Sequence, residues 1–157
     1  MMLLVGGVVT VLVLLGRAPS PVAAPPPPSA PSNLALSDPV ATEAVRTQVS
    51  EALRAVFSIH GDTLDQARRD AGKYFTEAAA KQYETLLTQV PPENQRITVT
   101  VREAAVRTLT ASKAELLVFV EQHMDKPGTA GTAGTAALVV TAEQVGQRWL
   151  IAALRTN

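Results

Sequence analysis

The 157-residue chain contains no cysteine, which excludes disulfides, thiolate metal sites and a cysteine nucleophile together. Compartment stays open on that ground, because a domain of this size folds without covalent staples. An excess of charge of one sign is also missing. Fourteen Lys and Arg balance fourteen Asp and Glu, so no positive field steers the chain to nucleic acid or to an anionic membrane surface. Aromatics are scarce, with one Trp, two Tyr and three Phe, and histidine occurs twice. No Gly-x-Ser-x-Gly elbow and no His-Glu-x-x-His helix is present. Apolar residues, by contrast, make up 46% of the chain, enough to bury the core of one domain. Alanine is abundant and Arg outnumbers Lys, a bias that fits GC-rich coding.

The run MMLLVGGVVTVLVLLG, Met1 to Gly16, carries no charge and one hydroxyl, so it belongs in a bilayer. At about 1.5 Å per residue it spans roughly 24 Å, nearer a signal-peptide core than a full crossing. The small residues that could precede a cleavage site, Ala18, Ala24 and Ala30, are each followed by proline, which disfavours cleavage and favours a retained anchor. No basic segment precedes the run and Arg17 follows it, so the expectation is a start site further upstream. The segment 1–18 is thus read as a membrane anchor or uncleaved signal, and 19–37, with its PPPP at 25–28, as an extended proline-rich linker.

The folded domain is assigned to 38–157. Asp38-Pro39 starts an amphipathic helix carrying Val45, Val49, Leu53 and Val56 on one face. It is expected to stop at His60-Gly61-Asp62, with Gly61 in a left-handed C-terminal conformation and Asp62 or Thr63 capping a short helical turn. A second helix carries Phe75, Ala79, Tyr83, Leu86 and Val90 before Pro91-Pro92 ends it. Period two then sets in at Ile97, Val99 and Val101. Three further strands follow in AELLVFVEQH, AALVVTAEQ and RWLIAALR. In the first of these, Leu116, Val118 and Val120 share one face and Leu117 and Phe119 the other, which reads as a central strand covered on both sides. The expectation is an α+β domain, N-terminal helices on a curved four-stranded antiparallel sheet. The threefold Gly-Thr-Ala repeat at 128–136 reads as a flexible hairpin loop, because no Lys-Ser/Thr follows it to make a phosphate cradle.

The densest set of groups that could do chemistry lies in FSIHGDTLDQARRDAGKYFT, Phe57 to Thr76. His60 is the obvious candidate base, yet at a helix C-terminus a capping histidine serves the local partial charge. Asp62, Asp65 and Asp70 lack the alternating oxygens and final glutamate of a calcium loop, and Asp65 with Arg69 reads as a surface ion pair. A two-histidine metal site would need His60 and His123 to converge on a carboxylate. Tyr74 and Tyr83 sit on a helix whose apolar face must pack, and Trp149 opens the last strand as a core aromatic. The stretch is therefore read as a structural corner, with Gly61, Asp62 and Trp149 as structural residues and no catalytic, cofactor or metal residue.

AVFSIHGDTLDQARRDAGKYFTEAAAKQYETLL, LLVFVEQ and RWLIAAL, in that order after a short anchor, resemble the Mce-associated membrane proteins of actinobacteria, from about Val40 to the end. The resemblance implies a single-pass membrane protein whose extracytoplasmic domain is an NTF2-like, VirB8-like cone. It further implies a non-enzymatic accessory role in Mce complexes that move lipids or sterols, with Mce subunits or other envelope proteins as partners and no cofactor. The missing basic tail departs from the family pattern and bears on orientation. The rival expectations are a small-ligand carrier or isomerase of the same fold, a lipid tail held in the cone, and a VirB8-like secretion scaffold.

Overall fold

The computed structural model describes residues 33–60, 63–88, 96–128 and 130–156. The expected anchor and most of the linker lie outside these residues, as do Gly61, Asp62, Val90 and Pro91-Pro92. No helix among the described residues is long and apolar enough to cross a membrane.

Helix α1 runs Pro39–Phe57. Asp38 caps it, its Oδ1 accepting the Ala41 N–H at 2.9 Å, and Pro39 sits where a missing N–H costs nothing. Val45, Val49, Ala52, Leu53 and Val56 form its buried face. The helix ends at Ser58, earlier than the sequence suggests, and Ile59–His60 forms a short strand β1. His60 pairs with Arg96, so it does not cap the helix. The reason is local: the Thr63 hydroxyl accepts the His60 N–H at 3.1 Å and donates back to the His60 carbonyl at 3.0 Å, which holds the chain extended.

Two helices follow where one and a short turn are expected, α2 (Leu64–Tyr74) and α3 (Glu77–Leu87). Between them the Tyr-Phe-Thr run takes strand-like backbone. Phe75 forms a parallel bridge with Ile151, and the Thr76 N–H donates to the Ile151 carbonyl at 2.9 Å. Phe75, Ala79, Tyr83 and Leu87 are buried, whereas Leu86 faces outward.

The sheet has five strands, not four, in the order β1-β2-β3-β4-β5, with β2 at Arg96–Leu109, β3 at Lys113–Asp125, β4 at Thr132–Val145 and β5 at Arg148–Thr156. All neighbours are antiparallel. Register shifts at Val101/Glu103 and Val106/Thr108 in β2, and at Ala152 in β5 opposite Thr141/Ala142, add local twist and curl the sheet around the helices. Gly128 and Gly146, both at positive φ, turn the two hairpins between β3 and β5. Most of the Gly-Thr-Ala repeat is strand, not loop. Thr132 to Ala136 pair with Met124 to Val120, because β3 runs long enough to template them.

The inner face packs Val99, Leu109, Leu116, Val118, Val140 and Ile151 against the helices. Strand β3 is central, with Leu116 and Val118 fully buried, but its other face is not covered: Phe119 is 44% exposed. Asn33 to Ser37, the end of the linker as read from sequence, belong to the packed unit through a 3-10 turn at Leu34–Leu36.

Candidate functional site

Of the polar cluster of Phe57 to Thr76, the side chains from Asp65 to Lys73 lie along the solvent side of α2. Arg68 pairs with Asp65 at 2.6 Å, while Arg69 turns to the Gln66 Oε1 at 2.8 Å, so the expected Asp65–Arg69 pair is replaced by its i,i+3 neighbour. The Gln66 amide and the Lys73 ammonium both donate to Asp70 and hold its carboxyl below its ordinary value. These side chains satisfy one another on a helix surface, and of them only Lys73 also borders a cleft.

His123 lies at the far end of β3, its Nε2 3.0 Å from the Asp125 Oδ1. His60 occupies the same end of the sheet, but β2 separates their strands, a spacing of about 10 Å at ~4.8 Å per strand. Among the described residues no group of three or more His, Asp or Glu is arranged to hold a metal ion.

In a cone of this kind a ligand would enter between helices and sheet. There, Phe57, Phe75 and Tyr83 stack edge-on, with centroids 5.4 to 6.3 Å apart, and fill the space. Tyr83 donates its hydroxyl to the Val56 carbonyl, 27 residues back, which ties α3 to α1. Burial, with the charge of Asp70 adding, pushes this phenol up to about 12. A phenol already committed to a backbone carbonyl has no free proton to offer a substrate. Beside it remains an apolar cavity of about 160 Å³ lined by Ile59, Leu87, Ile97 and Val99. Ordinary ligand pockets hold ~300–1,000 Å³.

Trp149 is buried, and its backbone N–H donates to the Gln48 Oε1 at 2.9 Å, which locks β5 onto α1. Tyr74 stands next to it at the rim of a cleft with Lys73 and Arg148, and Arg148 donates to the Lys73 carbonyl. A second, polar groove of about 220 Å³ follows the β2 edge beneath α1, with Arg46, Ser50, Arg54 and Glu103 on its walls. The sequence gives no signal for this groove, because it depends on the bulge at Val101/Glu103.

No protein-family model matches the sequence, and no curated protein matches it. Solved structures match its fold. An IcmL-like type IV secretion system protein from Legionella pneumophila has a TM-score of 0.62 at 15% identity, covering 72% of this chain and 89% of that one. The VirB8 protein of Agrobacterium tumefaciens has a TM-score of 0.60 at 15% identity, covering 73% and 90%. CagV of Helicobacter pylori, a VirB8 homolog, has 0.61 at 9% identity, covering 73% and 97%. At these identities the likeness is one of fold: the domain has the VirB8-like, NTF2-like architecture, built here with three α-helices and a curled five-stranded sheet.

Proposed function

We propose that this chain is a non-enzymatic scaffold of the cell envelope, its domain held outside the cytoplasm by the apolar N-terminal segment and used to assemble or stabilise a membrane transport complex. The observation that carries this reading is the cone interior, where Phe57, Phe75, Tyr83 and the aliphatic core occupy the place of a ligand. The chemistry of catalysis needs groups converging on open space. Here the titratable side chains of the described residues lie towards solvent, apart from Tyr83, whose hydroxyl is committed to the Val56 carbonyl.

Within that reading, the motifs between Ala55 and Leu154 favour an Mce-type lipid or sterol transporter as the complex served. The type IV secretion proteins that share the fold favour a secretion scaffold as the second reading. Membranes of a host strain lacking this chain, resolved on native gels, test the assembly role. Loss of an intact Mce complex, restored by the wild-type chain and equally by His60→Ala, is the expected result. Intact complexes without the chain overturn it, and loss of a secretion assembly instead selects the second reading.

A further inference from the structure

The edge of β2 that faces away from β3 is closed at its two ends and open between them. Along a strand the backbone N–H groups alternate in step with the side chains, so the β2 residues that face the core also turn their N–H to this edge. Those residues are Val99, Val101, Ala104, Val106 and Leu109, the register shifts at Val101/Glu103 and Val106/Thr108 accounting for the uneven steps. Val99 donates to Ser58 and Leu109 donates to Asn33. Val101, Ala104 and Val106 have no backbone partner on that side among the described residues. Three open donors in succession offer a place where a strand can be added.

The polar groove beneath α1 runs beside this open stretch. Its helical wall carries Arg46, Ser50 and Arg54, four residues apart and so one above another, and its other wall is Val101 to Ala104. Ser50 is the one buried polar residue among the described residues, 7% exposed, and its hydroxyl opens onto the groove with no hydrogen-bond partner among them. Such a hydroxyl is poised for a partner that the chain itself does not supply. Arg46 is engaged by Glu43 and Arg102 by Glu121, whereas Arg54, Glu51 and Glu103 line the groove without an ionic partner among the described residues. The open charges are thus of both signs.

We propose that this groove takes an extended peptide segment of a partner protein, added to β2 as an edge strand between Asn33 and Ser58. On its other side the same stretch of β2 is covered by five residues of β3, Val120 to Leu116, and a partner segment of that length spans about 16 Å at ~3.2 Å per residue. Its main chain accepts the open N–H groups of Val101, Ala104 and Val106, and its alternate side chains point into the groove. There a carboxylate suits Arg54, an ammonium or guanidinium suits Glu103, and a polar group reaches Ser50. Proline at the paired positions excludes a segment, because it cannot donate to the ladder. A polyanion such as nucleic acid meets Glu51 and Glu103 and is repelled.

This docking mode rests on the scaffold reading, but peptide binding is measured with no transport complex present, so the two can fail separately. Phage-displayed linear peptides are selected on the full chain in mild detergent and counter-selected on Val101→Pro, which removes an edge N–H and takes no bond from β3. Melting curves show that the variant is folded; should it not fold, Arg54→Glu takes its place. Synthetic copies of the selected peptides are then bound to the wild-type chain and to Arg54→Glu, with backbone amide exchange followed residue by residue. The expected peptides are free of proline at alternate positions and carry charges of both signs, and Arg54→Glu weakens them by about tenfold. Their binding slows exchange at Val101, Ala104 and Val106, whereas Val99 and Leu109 are slow from the start. A selection that yields no peptide preferring the wild-type chain overturns the proposal. So does a peptide that binds and leaves those three amides unchanged.

Discussion

Asn33 clamps the free edge of β2 beside Leu109: its Oδ1 accepts the Leu109 N–H at 2.8 Å while its Nδ2 donates to the Arg107 carbonyl at 2.9 Å, 76 and 74 residues along the chain. One side chain thus takes the place of a neighbouring strand. Further down the same edge the Ser58 hydroxyl accepts the Val99 N–H at 3.1 Å, and β1 covers Arg96 and Ile97. An open edge invites pairing with another chain, and these contacts guard it.

Asn33→Ala should cost about 1–3 kcal/mol, since the Leu109 N–H is left buried without a partner. Asn33→Asp retains the acceptor and should cost less. Urea unfolding of both variants checks the ordering, and equal loss would show that the clamp works only through the Arg107 carbonyl.

Tyr83→Phe removes the hydroxyl that joins α3 to α1 and should destabilise the domain by about 1 kcal/mol near neutral pH. Because the phenol's value is raised from 10.0 to about 12 on folding, the folded state holds its proton more tightly than the unfolded state does. The stabilisation linked to that proton is complete below pH 10.0 and is lost as pH rises through about 12. The stability difference between wild type and Tyr83→Phe should shrink over that window, as measured by denaturant titrations at stepped pH.

Trp149→Ala should cost about 3–5 kcal/mol, by leaving a cavity between β5 and α1. Trp149→Phe should cost less, since a phenyl ring fills more of the cavity while both variants keep the backbone bond to Gln48. A thermal melt of each measures the packing share, and a melt of Gln48→Ala measures the backbone lock.

His60→Ala should stay within about 0.5 kcal/mol of wild type, because only its backbone is engaged. Loss of complex assembly by a folded His60→Ala would restore the histidine as a functional group.

Periodicity made much of the fold legible: the alternation at Ile97, Val99 and Val101, the stripe from Val45 to Val56 and the cap at Asp38 are local signals, and the structure follows them. What escaped depends on tertiary partners. His60 becomes a strand residue because Arg96 pairs with the backbone that the Thr63 hydroxyl holds extended, and Phe75 breaks a helix because Ile151 accepts its bridge. The repeat at 128–136 becomes a strand because β3 extends past the core. Leu117 and Phe119 read as covered in sequence, whereas Leu117 is half-buried and Phe119 is exposed. The candidate site was less legible than the fold. The absence of familiar motifs was visible, but the aromatic stack that fills the cone draws Phe57, Phe75 and Tyr83 from separate elements.

The central claim is that this domain acts by holding partners. Affinity capture of the full-length chain from gently solubilised host membranes, with mass spectrometry of what accompanies it, tests that claim most directly. Co-purification of Mce subunits and their permease is the predicted result. Recovery of the chain alone from the soluble extracytoplasmic fraction, with a small molecule bound, would contradict it.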